Sequence, residues 1–223
     1  MLNSLFVKAI ASIVLGIAII STLLFLPAGT LLYWNAWLLI GILFISVFTV
    51  TWGLTLKNPN LLKKRLQFKE KYNEQNLVIK LSSVMLLIGL ICAGLDFRFK
   101  WIVLPDVVSV IAAVAFVAGF ILYAIVLKQN PYLSRTVEVV EEQKVVNTGM
   151  YGVVRHPMYS ATVLLFLSIP LLLGSLVSFT VFLAYPFIIA VRINHEEKLL
   201  EKELAGYAEY KKAVKYKIIP FIW

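Results

Sequence analysis

Long apolar segments separated by short charged ones dominate the sequence. A helix needs about 20 apolar residues to cross the hydrocarbon core of a bilayer, where helices and closed barrels alone satisfy every backbone polar group. Four segments have close to this length, and each predicts one transmembrane helix: residues 9–26, 34–56, 77–95 and 107–127. The sequence therefore predicts an all-α polytopic membrane bundle that forms a single domain over residues 1–223.

A further apolar segment covers residues 161–191, which is too long for one ordinary span and short for two. Pro170 and Gly174 interrupt its first half, and Pro186 interrupts the second. Because proline removes a helical hydrogen bond and glycine favours turns, this segment predicts a tight helical hairpin that turns near residues 173–176. The sequence leaves open whether the hairpin crosses the bilayer or re-enters from one side.

Two charged segments also contain patterned apolar residues. Residues 58–76 carry leucines among basic side chains, which is typical of an interfacial amphipathic stretch, although a plain connector fits nearly as well. Residues 195–213 are rich in helix formers, and Leu199, Leu200 and Leu204 are spaced to share one face. We therefore expect one cytoplasmic helix over 195–213 that docks against the bundle.

The composition, 61% hydrophobic and 15% charged, fits a protein whose main solvent is lipid. The net charge of +9 does not indicate nucleic-acid binding, because the basic residues lie beside the predicted spans, where they meet anionic headgroups. Of the 21 Lys and Arg residues, 19 fall on one side of the predicted membrane, and only Arg98 and Lys100 fall on the opposite side. The positive-inside rule therefore places both termini, residues 57–80 and residues 128–160 in the cytoplasm.

Several common site types have no sequence signal here. Cys92 is the single cysteine and lies in an apolar segment, so the sequence predicts no disulfide framework and no cysteine metal site. The glycine-rich turn of soluble nucleotide-binding folds and the usual nucleophile motifs are absent from the sequence. Any nucleotide cofactor must therefore be bound by a different architecture.

Two polar clusters flank the predicted hairpin, and each contains one of the two histidines. Residues 149–159 read GMYGVVRHPMY, and residues 192–197 read RINHEE. Taken separately, each cluster can be structural: an Arg-His-Pro anchor with proline in the first helical turn, or solvated glutamates near a helix start. Because a hairpin brings its ends together, we instead expect one site that contains Arg155, His156, Tyr159, Arg192, Glu196 and Glu197.

Arg192 and Glu196 are four residues apart and would share a helix face. Such a pair can bind opposite ends of a zwitterion, since the guanidinium binds an anion and the carboxylate binds a cation. This spacing favours a ligand that carries both charges.

The chain from residue 143 onward resembles the isoprenylcysteine carboxyl methyltransferase family, including its prokaryotic members and the related phospholipid methyltransferases. The resemblance rests on TGMYGVVRHPMY, RINHEE, YAEYKK and the closing IIPFIW, in that order. The first 127 residues match only as generic spans, which divides the domain into four spans and a catalytic region over 128–223. Two departures occur: Gly149-Met150-Tyr151 replaces Gly-Pro-Tyr, and Leu204-Ala205-Gly206 replaces Phe-Gly with one residue fewer.

The resemblance implies a membrane enzyme that uses S-adenosylmethionine. It implies that Arg192 contacts the methyl acceptor and that Glu196 and Arg155 also belong to the catalytic group. The cofactor-binding residues that it implies are Gln143, Lys144, Val145, Val146, Tyr151, His156, Pro157, Met158, Tyr159 and Glu196.

The chemistry agrees with this function. Methyl transfer from a sulfonium is an in-line displacement, so the protein must supply orientation, a dry site and complementary charge but no covalent nucleophile. Tyr151 and Tyr159 are suited to face the sulfonium by cation–π attraction, and Glu196 to accept from an ammonium or a ribose hydroxyl. An acceptor that is already ionised needs no general base, so Arg192 would position it.

The acceptor remains open. A lipophilic or lipidated molecule is expected, because a water-soluble substrate gives no reason to embed so small an enzyme in a bilayer. A prenylated cysteine, a phospholipid amine and a thiol are the alternatives within this superfamily. A transporter or scaffold is the alternative of another class, but it predicts ionisable residues at mid-membrane depth, where the four spans have almost none.

Overall fold

The computed structural model describes residues 2–66, 73–133, 139 and 143–223. Within these ranges the secondary structure is helical, and a short 3-10 turn covers Gly149–Gly152. The helices are α1 (Leu2–Ala28), α2 (Trp34–Lys57), α3 (Pro59–Arg65), α4 (Asn73–Phe99), α5 (Asp106–Gln129), α6 (Pro157–Leu172), α7 (Leu176–Phe182), α8 (Ala184–Glu203) and α9 (Tyr207–Ala213).

The four predicted spans are confirmed as α1, α2, α4 and α5. In the described chain, a fifth segment long and apolar enough to cross a membrane, Leu176–Glu203, combines α7 and α8. Large apolar side chains such as Val14, Ile45 and Val114 are exposed on the outside of the bundle. Lipid is the solvent that tolerates such a surface, so the chain is an integral, multi-pass membrane protein.

The predicted hairpin is also confirmed. Helix α6 ends at Leu172, Gly174 adopts a left-handed φ of +72°, and the Ser175 side chain caps α7 by accepting from the backbone N–H of Ser178. The Tyr33 hydroxyl, from the connector between α1 and α2, donates to the Leu173 carbonyl at 2.6 Å. The hairpin therefore reaches the end of the bundle where α1 turns into α2, so it crosses the bundle fully.

We call this end the turn end; it contains the connectors at residues 29–33, 100–105 and 173–175. Buried polar side chains join the helices there. The Ser175 hydroxyl donates to Asp96 Oδ2 at 2.5 Å, and Asn35 Nδ2 donates to Ser109 Oγ at 2.9 Å. These bonds satisfy buried polar groups. Asn35 and Ser109 also donate to the carbonyls of Leu172 and Leu171, so the hairpin is fixed against α2, α4 and α5.

Close helix contacts depend on small residues, as is usual in membrane bundles. A Cβ on Gly94 of α4 would lie 2.6 Å from the Leu24 carbonyl oxygen of α1. Likewise, a Cβ on Gly119 of α5 would lie 2.9 Å from the Leu165 side chain of α6. These two contacts set the spacing of α1 with α4 and of α5 with α6.

The prediction of one helix over 195–213 is wrong. Helix α8 continues from the hairpin to Glu203, Leu204 is extended, and α9 starts after Gly206, whose φ is +82°. The break lets Leu204 and Tyr207 enter one buried cluster with Tyr210. The extended Leu204 and the left-handed Gly206 both have non-helical conformations, so the helix breaks here although most residues of the segment favour a helix.

The leucines of the 58–76 segment contact protein. Leu61 of α3 is 2% exposed and packs against Val126, Tyr151 and Met158. Phe68, which completes the predicted amphipathic pattern, lies outside the described residues. Helix α3 therefore forms part of the second end of the bundle, which we call the site end and which contains α3, the described residues between α5 and α6, and residues 203–223.

Candidate active site

The carboxyl-terminal residues 214–218, which we call the strap, bind the start of α6. The backbone N–H groups of Arg155 and His156 donate to the carbonyls of Tyr216 and Lys217 at 2.9 and 2.8 Å. The first N–H groups of a helix have no partner within it, and Pro157 at the first helical position has none to donate. The strap therefore satisfies the backbone just before α6 and fixes the Arg-His-Pro motif.

Arg155, His156 and Glu197 form a buried ionic cluster. Arg155 Nε and His156 Nε2 lie 2.7 and 3.1 Å from Glu197 Oε1, and each of the three residues is at most 6% exposed. Arg155 Nη1 also donates to the carbonyls of Val214 and Lys215, at 2.7 Å each. These contacts join α6, α8 and the strap, so they favour a positioning role for Arg155 over the predicted catalytic one.

Tyr159 connects the two polar clusters of the sequence. Its hydroxyl donates to Glu196 Oε2 at 2.5 Å and accepts from Arg192 Nε at 2.9 Å. The guanidinium carbon of Arg192 lies 6.0 Å from the centroid of the Tyr159 ring. The two clusters are therefore in contact, as expected, and Tyr159 holds Arg192 and Glu196 on one surface.

This surface belongs to a cavity of about 440 Å³. All predicted site residues except Pro157 and Glu197 line it, and these two are buried outside the lining. The cavity also takes side chains from α3, α4 and α5, so the division at residue 127 does not describe how it is built. Its predicted lining residues are Gln143, Lys144, Val145, Val146, Tyr151, Arg155, His156, Met158, Tyr159, Arg192 and Glu196.

The cavity has two chemically different parts. The part at the site end contains the Tyr159–Glu196 pair and the ring of His156. The other part lies between α4, α6 and α8 and is mainly apolar, and it includes Ser83 of α4, which is exposed. The apolar part is lined by Val78, Ile79, Leu86, Phe166 and Ile189.

Tyr151 is fixed through both its hydroxyl and its backbone. The hydroxyl accepts from Asn130 Nδ2 at 3.0 Å, and the backbone carbonyl accepts from the Tyr210 hydroxyl at 2.7 Å. Burial raises the pKa of Tyr151, so its hydroxyl stays neutral at physiological pH. The N–H of Met150, which replaces proline in the Gly-Pro-Tyr pattern, donates to Gln129 Oε1 at 3.0 Å. The substitution therefore adds a hydrogen bond that proline lacks.

Sequence reasoning missed Arg65. This residue ends α3, lines the cavity and donates from its guanidinium to the Tyr123 hydroxyl, with its charge 5.3 Å from the centroid of that ring. Burial of Leu61 places α3 against the site end of the bundle. The leucine pattern is the only sequence signal for this position of α3. Nothing in the sequence indicates that Arg65 meets a tyrosine 58 residues away.

Comparison with known proteins gave a family match and a fold match. Residues 107–206 match the family model described as phospholipid methyltransferase. The fold is similar to a solved structure of the eukaryotic intramembrane Ras methyltransferase isoprenylcysteine carboxyl methyltransferase, with a TM-score of 0.60 and 17% sequence identity. That match covers 96% of this chain and 77% of the other. No curated protein matches the sequence.

The resemblance seen in the sequence is confirmed. Residues 107–206 are similar to phospholipid methyltransferases, and the fold of the chain is similar to that of isoprenylcysteine carboxyl methyltransferase. The family match contains all of the predicted site residues. The fold match extends the likeness to the first 106 residues, which the sequence motifs did not reach.

Proposed function

We propose that this protein transfers a methyl group from S-adenosylmethionine to a lipophilic acceptor at the site end of the bundle. The observation that carries this proposal is one cavity with a charged part and an apolar part, joined at Tyr159 and Arg192. A water-soluble donor and a lipid-soluble acceptor need such a pair of environments.

The residues present fit the donor. S-adenosylmethionine supplies an electrophilic methyl group on a sulfonium and also carries an ammonium, a carboxylate and a ribose. Glu196 and the tyrosine rings complement the positive groups, and Tyr207 keeps a buried hydroxyl beside the cavity without a partner among the described residues. The polar part would therefore hold the donor, with His156, Tyr159 and Glu196 in contact with it.

Arg192 is suited to position the acceptor. It lies where α8 passes from the apolar to the polar part of the cavity, and its Nε is held by Tyr159. A guanidinium binds a carboxylate or phosphate through paired N–H groups. The acceptor would enter from the side, between α4 and its neighbouring helices, and place its reactive group between Arg192 and the donor.

A phospholipid amine is one candidate for the lipophilic acceptor, and the family match over residues 107–206 favours it. The phosphate of such a lipid would bind Arg192 as a carboxylate would. Prenylated cysteine and small thiols stay within the proposal as alternative acceptors of the same site.

Cofactor binding tests the proposal directly. The purified protein in detergent should bind S-adenosylhomocysteine in calorimetry, and His156→Ala, Tyr159→Phe and Glu196→Ala should each weaken binding by about 1–3 kcal/mol. Labelled S-adenosylmethionine should then transfer its methyl group to phospholipid or prenylcysteine vesicles. Absence of binding by the wild-type protein contradicts the methyltransferase function. Unchanged binding in all three variants would show that the donor binds at a different place.

We also propose that the site end faces the cytoplasm. The basic residues flanking the spans cluster there, and S-adenosylmethionine is made in that compartment. Single cysteines introduced at Lys63 and Lys212, in a Cys92→Ala background, should resist an impermeant thiol reagent in intact cells and react after lysis. A cysteine at Lys100, at the turn end, should react in intact cells. The reverse pattern would invert the orientation.

A further inference from the structure

Three buried side-chain polar atoms have no hydrogen-bond partner among the described residues: Gln75 Oε1, His195 Nδ1 and the Tyr207 hydroxyl. Of these three residues, only Tyr207 lines the cavity. A buried hydroxyl without a partner costs free energy, and native proteins rarely retain one without a reason. The position of this atom beside the cavity suggests that its partner is a ligand.

Tyr207 is held firmly in this position. It starts α9 directly after the left-handed Gly206, and its side chain is 4% exposed. Its ring lies 5.7 Å from that of Tyr210, and both pack with Leu204 and Val214 in one buried cluster. The neighbouring Tyr210 shows the usual arrangement, because its hydroxyl donates to the Tyr151 carbonyl. The ring of Tyr207 is therefore fixed by packing, and its hydroxyl does not contribute a hydrogen bond to the described fold.

The charges around Tyr207 define what it can bind. Burial raises its pKa, and the carboxylates of Glu197 and Glu196 raise it further, so the hydroxyl is neutral and able to donate. Glu197 Oε1 is bound by Arg155 and His156, and Glu196 Oε2 is bound by Tyr159. The hydroxyl is thus suited to donate to an oxygen atom that enters the cavity.

We infer that the Tyr207 hydroxyl donates a hydrogen bond to an oxygen of the bound methyl donor, either a ribose hydroxyl or the carboxylate. This inference rests on the proposed function and adds a binding residue to it. Tyr207 lies just outside the family match over residues 107–206, and the sequence motifs assign it no role. The unpaired hydroxyl destabilises the ligand-free protein, and in the complex it contributes to affinity for the donor.

The substitution Tyr207→Phe tests this through two measurements on full-length protein in detergent. Thermal unfolding without ligand should be unchanged or shifted upward, because no protein hydrogen bond is lost. The dissociation constant for S-adenosylhomocysteine in calorimetry should rise about tenfold, as expected for one hydrogen bond to a ligand oxygen. Comparison with 5′-methylthioadenosine, which lacks the carboxylate, identifies the oxygen: weakened binding of both ligands indicates the ribose, and of the first alone indicates the carboxylate.

Tyr33→Phe is the matched control. The Tyr33 hydroxyl is also buried but donates to the Leu173 carbonyl at the turn end, and neither residue lines the cavity. This variant should unfold at a lower temperature and keep wild-type affinity, the opposite of Tyr207→Phe. Unchanged affinity in Tyr207→Phe, or a loss of ligand-free stability like that of Tyr33→Phe, overturns the inference. Failure of the wild-type protein to bind either ligand is a different result, which rejects the proposed function itself.

Discussion

The turn end and the site end both bury polar side chains, but they use them differently. At the turn end, Ser175 donates to Asp96, Asn35 donates to Ser109, and Tyr33 donates to the backbone. At the site end, bonded groups such as Glu197 lie beside a cavity and beside a hydroxyl that has no partner in the described chain. The comparison teaches that burial of polar groups alone does not mark a site. A site is indicated where buried polar groups border open volume.

The largest expected effect concerns the ionic cluster of the site end. Glu197→Ala removes the buried partner of Arg155 and His156, and an uncompensated buried charge destabilises by roughly 3–5 kcal/mol. Chemical or thermal unfolding in detergent should show a large loss of stability, and the strap should become sensitive to protease. A stability close to that of the wild type would show that the cluster is not the main link between α8 and the strap.

Arg192 should affect function rather than stability. It is only partly buried and faces the cavity, so we expect Arg192→Ala to lower acceptor turnover roughly tenfold to a hundredfold. Arg192→Lys keeps the charge but loses the planar fork, so the loss should be smaller. S-adenosylhomocysteine affinity, measured in parallel, should change much less. A large loss of that affinity with unchanged acceptor saturation would assign Arg192 to the donor carboxylate.

A substitution at the turn end should lower stability and leave ligand affinity unchanged, the reverse of the effect expected for Arg192. Asp96 accepts from Ser175 Oγ and from the backbone N–H of Ile102 at 3.1 Å. Asp96→Ala leaves both donors unsatisfied, so we expect a loss of about 1–3 kcal/mol in unfolding free energy. Affinity for S-adenosylhomocysteine should stay at the wild-type value. If affinity falls as well, the two ends are coupled through the hairpin, and the comparison between them needs revision.

The smallest effect is expected at the surface of the site end. Glu201 is bound by Lys211 at 2.6 Å, but both side chains are more than a third exposed. Exposed pairs contribute about 0–1 kcal/mol, so Glu201→Gln should barely change thermal unfolding. This variant also serves as the control for Glu197→Ala on the same helix. A loss as large as that of Glu197→Ala would mean that charge anywhere on this face of α8 holds the strap.

The sequence by itself determined the membrane class, the four spans, the hairpin and its turn. These follow from segment length, apolar composition and the positions of proline and glycine, which are local properties. It also determined that the two histidine clusters share one site, because a hairpin must bring its ends together. The resemblance then named eleven of the residues that line the cavity from position 143 onward, but not Tyr207.

Only the tertiary structure decided what these residues contact. The break between α8 and α9 lies in the extended Leu204 and the left-handed Gly206, which the surrounding helix-forming residues do not predict. The contacts of Arg155 with Glu197 and the strap, and of Arg65 with Tyr123, join residues 42 to 60 positions apart in sequence. Whether a polar side chain is satisfied or faces a cavity depends on such long-range packing. For this reason the role inferred for Tyr207 follows from its surroundings, not from its place in a motif.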